Sequence, residues 1–424
     1  MTAAPGLRPV WPGEQRLLAG WLETGTRASF DAHRARYGPI PAVSDRKAAT
    51  RLINAVDRAG LQGRGGGGFP TARKLAAVAA GRRPRIVVGN GCEGEPASGK
   101  DRVLLAFAPH LVIDGLLLAA AAVGAREAVL CVRSGDEHGL KDALAERAGH
   151  DTPAVRVVSV PHRYVGSEAS ALARFLTDGN PRPTGTPPRP AQRGVRGRPT
   201  LVDNVETLAH LALIARYGAA WYRACGTDDS PGTTLVTVGG TVGLPGVYEI
   251  EHGIPLGAVL DMAGGPAVPV QAVLVGGLSG VWLPLPAAVG VTWTAAGLHR
   301  AGLAGGVAAL TVLPRHACGI AEAARALRHL AAETAGQCGP CMFGLPAIAA
   351  DMDALAEGSL GWAGLTRLRE RLAVIPGRGA CAHPDGAVRH ARSALQVFAD
   401  DATRHAASAP CTRVGLPTWL PGGL

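Results

Sequence analysis

The sequence is poor in aromatic residues and contains no apolar run long enough to cross a membrane. Phe, Trp and Tyr make up 4% of the 424 residues, whereas glycine alone accounts for 58. The longest apolar stretch, residues 111–123, contains Asp114 and is shorter than the ~20 residues that a spanning helix needs. The first residues hold Pro5, Pro9 and Pro12 in place of the apolar core of a signal peptide. We therefore expect a cytoplasmic protein that does not itself span a membrane and is at most peripheral to one through its partners.

Neither a disulfide framework nor a basic nucleic-acid-binding surface is indicated. Eight cysteines are few for a chain of this length, and in a reducing compartment clustered cysteines favour metal binding. The formal net charge of +10 comes largely from arginines scattered through every segment, whereas a nucleic-acid reader clusters them. We expect no nucleic acid among the partners and interpret the charge as a solvated surface that can meet an acidic protein.

A glycine loop is the first candidate for a binding site. It consists of Gly63, Arg64, Gly65, Gly66, Gly67, Gly68 and Phe69, followed by Pro70 and then Lys74. Glycines let a backbone approach a phosphate, and Pro70 can open a helix whose free N–H groups favour an anion. The spacing also fits the dinucleotide fingerprint, but the preceding residues 49–59 have helical rather than strand periodicity. An ordinary Rossmann loop is therefore a poor fit, and a flexible loop without ligand remains the alternative.

A cluster of polar residues follows the next apolar run, residues 86–89. It contains Asn90, Cys92, Glu93, Glu95 and Lys100. Side chains just past the carboxyl end of a strand lie where open α/β sheets hold ligands. Together with the glycine loop they predict a pocket for a phosphate-bearing cofactor, although the charged residues also fit a solvated turn and Cys92 a small buried side chain.

The order of periodic segments predicts several structural units. Short β-rich runs alternate with helical patterns up to about residue 215, which implies parallel strands with crossover helices. A small mixed α+β module follows, and from residue 319 four amphipathic patterns predict a four-helix bundle. The expected boundaries are an irregular extension (1–45), an α/β domain (46–230), the mixed module (231–312), the bundle (313–400) and a loosely ordered tail (401–424).

Three cysteines are placed at helix junctions of the predicted bundle. Cys338 and Cys341 form a C-x-x-C at the first junction, and Cys381 precedes the fourth helix. Thiolates that converge at one pole of a bundle suit zinc or an iron–sulfur centre. A fourth ligand is missing; His383, the distant Cys318, water or an external ligand could complete the site, and metal-free structural thiols remain an alternative.

Taken in order, these motifs resemble one family. The chain resembles the flavin-carrying, NADH-oxidising subunit of respiratory complex I. The motifs that carry the resemblance are the G-R-G-G-x-G-F-P-T loop, E-G-E-P-x-x-x-K-D-R, P-T-x-V-x-N-V-E-T-L and C-x-x-C with a distant Cys. The same subunit type occurs in NAD-linked hydrogenases and formate dehydrogenases. The resemblance covers residues 50–400 and implies a Rossmann-like FMN-binding α/β domain, a β-grasp-like (SLBB-type) module and a four-helix bundle that holds a [4Fe–4S] cluster.

The resemblance also implies roles for individual residues. Residues 63–68 would lie against the FMN phosphate and ribityl chain, with Lys74 paired to the phosphate. Glu95 would face the nicotinamide nucleotide, and Glu168 matches the first glutamate of the family's G-E-E segment, so both are candidate catalytic residues. Asp203 and Asn204 stand where the family has an asparagine pair near the phosphate. The other implied cofactor contacts are Phe69, Asn90, Cys92 and Glu93, and the implied cluster ligands are Cys338, Cys341 and Cys381.

Some positions depart from the family pattern. Cys92 replaces an aspartate, Ala169 replaces the second glutamate of G-E-E, and Gly344 replaces a cluster cysteine. The family's K-P-P-F segment becomes Thr186-Pro-Pro-Arg189, which removes an aromatic on which a base could stack, although arginine can also stack. The departures affect the NADH and cluster sites more than the flavin site.

The leading functional prediction is an oxidoreductase that passes electrons from a pyridine nucleotide through FMN to an iron–sulfur cluster. Its expected partners are other electron-transfer subunits, either ferredoxin-like or components of a membrane oxidoreductase. One alternative is a degenerate subunit that keeps FMN or the cluster but relays electrons from ferredoxin without oxidising NADH. Another is a binding module in which residues 235–290 recognise a ligand and the remainder is support.

Overall fold

The computed structural model describes residues 15–82, 84–185, 187–303, 306–415 and 420. The strands are β1 (Ile86–Gly91), β2 (Glu127–Arg133), β3 (Val155–Val160), β4 (Thr200–Asn204), β5 (Thr233–Gly240), β6 (Gly246–Glu251), β7 (Val270–Val275), β8 (Val281–Pro284) and β9 (Ala309–Pro314). The helices before the second sheet are α1 (Ala19–Thr24), α2 (Phe30–Tyr37), α3 (Arg46–Ala59), α4 (Thr71–Ala80), α5 (Lys100–Phe107), α6 (Pro109–Val123), α7 (His138–Glu146), α8 (Ala169–Asp178), α9 (Pro190–Arg193) and α10 (Val205–Arg223). The later helices are α11 (Leu256–Met262), α12 (Ala295–Arg300), α13 (Gly319–Ala332), α14 (Leu345–Ala356), α15 (Gly361–Val374), α16 (His383–Val397) and α17 (Ala399–Ala406).

The first sheet is parallel throughout, in the order β3-β2-β1-β4, which confirms the predicted α/β domain. The buried apolar β1 is continuous with the polar cluster that follows it. Strand order reverses between β1 and β4, and Asn90 pairs in register with Asn204 at the carboxyl ends of these strands. The carboxyl side of such a reversal is where open α/β sheets form a ligand crevice. The sequence-predicted pocket therefore lies at this crevice.

The second sheet is mixed, in the order β6-β5-β9-β7-β8. Its β5 and β9 run parallel and the other pairs are antiparallel, while α11 packs its apolar side chains into the same core. In the sequence, β-rich runs at residues 233–238, 246–251 and 272–275 and a helical pattern at 255–262 predict β5, β6, β7 and α11, but β8 and β9 were not predicted. This arrangement agrees with the β-grasp-like module that the resemblance implied.

The C-terminal region contains the four expected amphipathic helices, α13 to α16, and then a fifth. The tail was expected to be loosely ordered from residue 401, and this expectation is wrong for its first part because α17 spans Ala399–Ala406. Asp401, Ala402, His405 and Ala406 are buried on one face of α17, so packing rather than helix propensity orders this segment. Residues 416–419 and 421–424 of the predicted tail lie outside the described residues.

The N-terminal extension is also more regular than expected. The sequence predicts one helix in it, near residues 15–22; in the structure α1 begins at Ala19, and α2 follows it. The amides of Arg16 and Leu17 donate to the buried carboxylate of Glu249 on β6, so this segment is fastened to the second sheet. Residues 1–14, including the three prolines, lie outside the described ranges.

Within the described ranges, no single helix combines the length and hydropathy of a membrane span. Only α5 and α6 taken together reach that length and composition, and their axes are bent by 97°.

Candidate functional site

The glycine loop is closed at its base and leaves a row of amides free. The amide of Gly63 donates to the carbonyl of Phe69 at 2.9 Å, and Gly306 donates to the carbonyl of Gly66 at 2.9 Å. Gly66 has φ +96°, and a Cβ there would lie 3.2 Å from the Gly306 carbonyl oxygen, so a larger residue does not fit. Among the described residues, the amides of residues 65–68 have no acceptor. Such a row of unpaired N–H groups is suited to an anion.

Arg64 holds this loop in place instead of extending from it. Its amide donates to Thr207 Oγ1 at 2.8 Å, and its guanidinium donates to the Tyr222 hydroxyl at 2.9 Å and the Thr233 carbonyl at 3.1 Å. The side chain therefore links the loop to α10 and β5. Its proposed contact with a cofactor would come mainly through the backbone.

Lys74 and Asp203, both expected at the phosphate, form an ion pair with each other. The Lys74 Nζ lies 2.5 Å from Asp203 Oδ1 and donates to the Val202 carbonyl at 3.0 Å. Asp203 is 1% exposed, and its Oδ2 has no hydrogen-bond partner among the described residues. Burial raises the pKa of Asp203, and the Lys74 ammonium opposes that rise. Lys74 is about one-quarter exposed, at 26%, so it can still meet an anion from solvent.

A second buried charge network lies beneath the crevice, and it does not fit the solvated turn considered for Lys100. The Lys100 ammonium, with its side chain 2% exposed, lies 2.6 Å from Asp101 and 2.9 Å from Glu206, and it donates to Asn204 Oδ1 at 3.2 Å. Burial lowers the pKa of Lys100, but the two carboxylates outweigh it and the net shift is upward. Asn204 also donates to Asp101 Oδ2 at 2.7 Å. The network fixes Asn204 at the end of β4.

The residues after β1 form one wall of a cavity. Asn90 donates to the Ser167 carbonyl at 2.8 Å and accepts from the Cys92 amide at 3.1 Å. Glu93 accepts from the Ser98 hydroxyl, and burial together with the nearby Asp101 carboxylate raises the pKa of Glu93 to about 7. Burial raises the pKa of the Cys92 thiol, which keeps it protonated.

Glu95 is buried and fully engaged by the protein. Its carboxylate accepts from the Tyr164 hydroxyl at 2.7 Å, the Leu278 amide at 3.0 Å and the Ala97 amide at 3.1 Å. A Cβ at Gly277 would lie 2.5 Å from this carboxyl group, so the glycine is needed for the close approach. Burial raises the pKa of Glu95 despite these three donors.

The cavity at the crevice encloses about 120 Å³. Of the expected cofactor contacts, it is lined by Arg64, Gly65, Asn90, Cys92, Glu93, Glu95 and Asn204. This volume is below the ~300–1,000 Å³ of usual ligand pockets, so only part of a mononucleotide can be enclosed. A second cavity of about 370 Å³ is lined by residues of the glycine loop and by His252 and Trp293. Gly65 thus lines the crevice cavity, whereas Gly66, Gly67 and Gly68 line the second one.

Glu168 and Phe69 do not line the crevice cavity. Glu168 is the N-cap of α8, where its carboxylate accepts from the amides of Ser170 and Ala171 at 2.9 and 3.0 Å. The guanidinium of Arg189 lies 5.9 Å from the centre of the Phe69 ring, within cation–π range. Thr186, at the start of the divergent segment, lies outside the described residues.

Tyr164 is a site residue that the sequence motifs did not identify. It lines the crevice cavity, and its hydroxyl lies 2.7 Å from both Glu95 and Ser279 Oγ. Its ring centre is 5.2 Å from that of His383, two residues past Cys381. The only signal in the sequence was its place four residues before Glu168.

Of the three predicted cluster ligands, Cys338 and Cys381 both lie close enough to Cys341 to raise the pKa of its thiol. Cys341 is buried, whereas Cys338 and Cys381 are half-buried. Burial raises the pKa of the Cys338 thiol, but hydrogen bonds from the backbone of Ala380 and Cys341 outweigh this, and its net pKa is lowered. Burial raises the pKa of the other two thiols, that of Cys341 to about 12. The fit to an iron–sulfur centre therefore rests on three soft sulfur donors, not on their ionisation in the metal-free protein.

No thiol can be added at the missing fourth position without rearrangement. A Cβ at Gly344 would lie 2.7 Å from the Ile375 side chain, which fills the space. His383 uses Nε2 for the Leu330 carbonyl at 2.8 Å, while its buried Nδ1 has no partner among the described residues. The residues thus fit a cluster with three cysteine ligands and a different fourth ligand.

Comparison with known proteins identifies matches over both halves of the chain. Residues 56–213 match the Nuo51 FMN-binding domain, and residues 321–405 match the NADH-ubiquinone oxidoreductase-F iron–sulfur binding region. The chain is 32% identical to the second F-type component of the NADH-quinone oxidoreductase of Rhizobium meliloti, over 85% of its own length and 90% of that protein. It is 38% identical to the alpha subunit of the NAD-reducing hydrogenase HoxS of Cupriavidus necator, over 54% of this chain and 40% of that subunit. A chain of the crystal structure of an air-oxidized NAD⁺-reducing [NiFe]-hydrogenase superposes with a TM-score of 0.82 at 34% identity, covering 93% of this chain and 67% of that one.

Proposed function

The chain belongs to the family of F-type components of NADH-quinone oxidoreductases, and from this premise we propose that it takes electrons from NADH on bound FMN and passes them to an iron–sulfur centre. When bound, FMN supplies the chemistry of accepting an electron pair from a nicotinamide and releasing single electrons. The protein supplies position, charge and exclusion of water.

The amides of residues 65–68, which have no acceptor among the described residues, are the main support for FMN binding. We propose that the amides of residues 65–68 and the Lys74 ammonium hold the phosphate, because both offer positive charge to an anion. Asn90, Cys92 and Glu93 would line the flavin side, since they form the wall of the crevice cavity. The pKa of Glu93, raised to about 7, allows its carboxyl group to hold or release a proton there near neutral pH.

For the two glutamates expected to be catalytic, we propose different positions relative to the chemistry. Glu95 lines the cavity and orients Tyr164, so it can act on a nicotinamide nucleotide while fixing the wall. Glu168 caps α8 and fixes the turn that carries Tyr164, so we assign it a positioning role.

The iron–sulfur centre would be held by Cys338, Cys341 and Cys381. Tyr164 lines the crevice cavity and packs its ring against His383, two residues past Cys381. One side chain therefore lies between the proposed flavin site and the proposed cluster site. Exposed Met342 and Phe343, at 53% and 71% exposure, follow Cys341 directly. We propose that the partner that accepts the electrons, an iron–sulfur protein, docks over these two side chains.

The test uses the full chain, purified without oxygen and supplied with FMN. NADH is expected to bleach the flavin absorbance and then to produce the electron paramagnetic resonance signal of a reduced cluster. Lys74→Met should weaken FMN binding by at least about tenfold, equivalent to one lost charged contact of ~1.4 kcal/mol. Lys47→Met, at an exposed lysine of α3, is the matched control and should leave FMN binding unchanged.

The outcomes separate the competing functions. A protein that retains no flavin and shows no heat of FMN binding would refute the proposal. A flavoprotein whose absorbance NADH leaves unchanged, but which reduced ferredoxin bleaches, would establish the alternative relay function.

A further inference from the structure

A second group of soft ligands lies at the opposite end of α13 from the cluster cysteines. Cys318, His405 and Cys411 place two Sγ atoms and one imidazole nitrogen within 4.8 Å of one another. Cys318 precedes α13 and Cys338 follows it, so this 14-residue helix, about 21 Å long, separates the two groups. Cys318 and Cys411 also lie outside the matched iron–sulfur region, residues 321–405.

The geometry points to a zinc site, and we propose that Cys318 Sγ, His405 Nε2 and Cys411 Sγ bind one Zn²⁺, with water or Asp401 at the fourth position. Two thiolates and one imidazole are a zinc ligand set, and three protein ligands leave one position of the tetrahedron open. Because its ligands come from segments far apart in the chain, the role would be structural.

The imidazole is already oriented as a metal ligand. His405 is fully buried, and its Nδ1 lies 3.2 Å from the Leu355 carbonyl, which places the proton on Nδ1 and leaves a lone pair on Nε2. A metal-binding histidine usually has its other ring nitrogen held in this way. The Nε2 atom at present accepts from the Cys411 amide at 3.1 Å, a bond that the metal would replace.

The surrounding charges favour a divalent cation. Asp401 lies one helical turn before His405, and both of its carboxylate oxygens accept from the Arg413 guanidinium, at 2.7 and 2.9 Å. Two thiolates and this carboxylate carry three negative charges. Arg413 and Arg404, which also pairs with Asp401, carry two positive ones, so a divalent cation offsets the remaining negative charge.

The site would fasten the C-terminal segment to the helical bundle. Cys318 caps the first turn of α13 through the Ala321 amide at 3.5 Å, whereas His405 lies in the last turn of α17 and Cys411 lies beyond it. A shared metal therefore joins segments that are 87 residues or more apart in sequence, since His405 follows Cys318 by 87 positions. Metal binding of this kind contributes directly to folding.

The decisive measurement is the zinc content of the full chain purified without oxygen, together with its iron content. We expect about one Zn per chain in the wild type and in Cys338→Ser, which removes a cluster ligand, and much less in Cys411→Ser and His405→Gln. Cys225→Ser, at a cysteine outside both groups, is the matched control and should keep its zinc. Replacement by Co²⁺ should give the charge-transfer and ligand-field absorption of a tetrahedral thiolate complex in the wild type but not in Cys411→Ser.

Three results would overturn the proposal. The first is wild-type protein that takes up neither Zn²⁺ nor Co²⁺ at the Cys411-dependent site. The second is zinc that is lost from Cys338→Ser but kept by Cys411→Ser, which would assign it to the cluster cysteines. The third is a Cys318–Cys411 disulfide in the anaerobic protein, detected by mass spectrometry after digestion, which would make the pair a redox couple instead.

Discussion

Asp203→Asn is expected to tighten FMN binding, although it removes one of the residues first assigned to the cofactor. Within the part of the chain that the structure describes, the Lys74 ammonium has one anionic partner, Asp203 Oδ1 at 2.5 Å. A phosphate group bound by the same ammonium would compete with this carboxylate and be repelled by it. Asparagine keeps the shape of the side chain and can still accept from Lys74, but it carries no charge.

The size of the effect follows from the length of the ion pair. If the phosphate and the carboxylate both contact the Lys74 ammonium, their charges are about 6 Å apart, roughly twice the length of one ion pair. Two unit charges at that distance repel by about 3 kcal/mol at an effective dielectric constant of 20. Two effects make the gain smaller than this. Burial raises the pKa of Asp203 and so reduces its ionised fraction, and in the flavin-free variant water must hydrate the Lys74 ammonium that has lost its ion pair. We therefore expect a net gain of about 1.4 kcal/mol, a tenfold lower Kd.

Isothermal titration calorimetry of the flavin-free protein with FMN measures this directly. Because the wild-type carboxylate must lose its charge to relieve the repulsion, wild-type affinity should increase as pH falls through the raised pKa of Asp203, whereas the asparagine variant should be less sensitive. Asp57→Asn, at an exposed carboxylate in the last turn of α3, changes the net charge equally and should have little effect. Equal or weaker FMN binding in Asp203→Asn would refute the competition between carboxylate and phosphate.

Three further outcomes test other parts of the molecule. Because the pKa of Glu93 is raised to about 7, the free energy of unfolding of the flavin-free protein should fall by on the order of 2 kcal/mol as pH rises from about 4.5 to 7. Urea denaturation at several pH values measures this, and Glu93→Gln should remove most of the pH dependence in that range. The same pH dependence in Glu93→Gln would contradict the raised pKa. Lys100→Met leaves Asp101 and Glu206 buried without their cation, so it should reduce the free energy of unfolding by about 3–5 kcal/mol. The control Lys47→Met should not reduce it, and a loss below about 1 kcal/mol in Lys100→Met would contradict the network. Cys338→Ser should abolish the reduced-cluster electron paramagnetic resonance signal while FMN stays bound, and an unaltered signal would place the cluster elsewhere.

The α/β domain could be predicted because its signals are local. The apolar β1 and the polar cluster after it are adjacent in sequence, and alternation with helices predicts parallel strands. The partner of β1 on its other side could not be predicted in this way. β4 follows β1 by more than 100 residues, and only the folded sheet brings Asn204 opposite Asn90.

The charge pairing within the site was beyond the reach of sequence reasoning. Lys74 and Asp203 were both assigned to a phosphate, yet they are 129 residues apart and meet each other in the fold. Lys100 could equally have been solvated, and its burial depends on Glu206, which arrives with α10. Motifs thus identified candidate site residues, whereas which of them pair with one another depends on the tertiary fold.

The turn Tyr164–Ser167 connects the flavin crevice to the helical bundle that carries the cluster cysteines. Asn90 donates to the Ser167 carbonyl from the crevice side, and Glu333, at the end of α13, accepts from the Tyr164 amide at 3.1 Å from the bundle side. Since both hydrogen bonds converge on four residues, a shift of the bundle must displace the wall of the crevice. Tyr164→Phe keeps the ring against His383 but removes the donor to Glu95. It should therefore disturb flavin reduction by NADH while leaving the cluster spectrum intact, whereas Tyr164→Ala, which lacks the ring, should alter both.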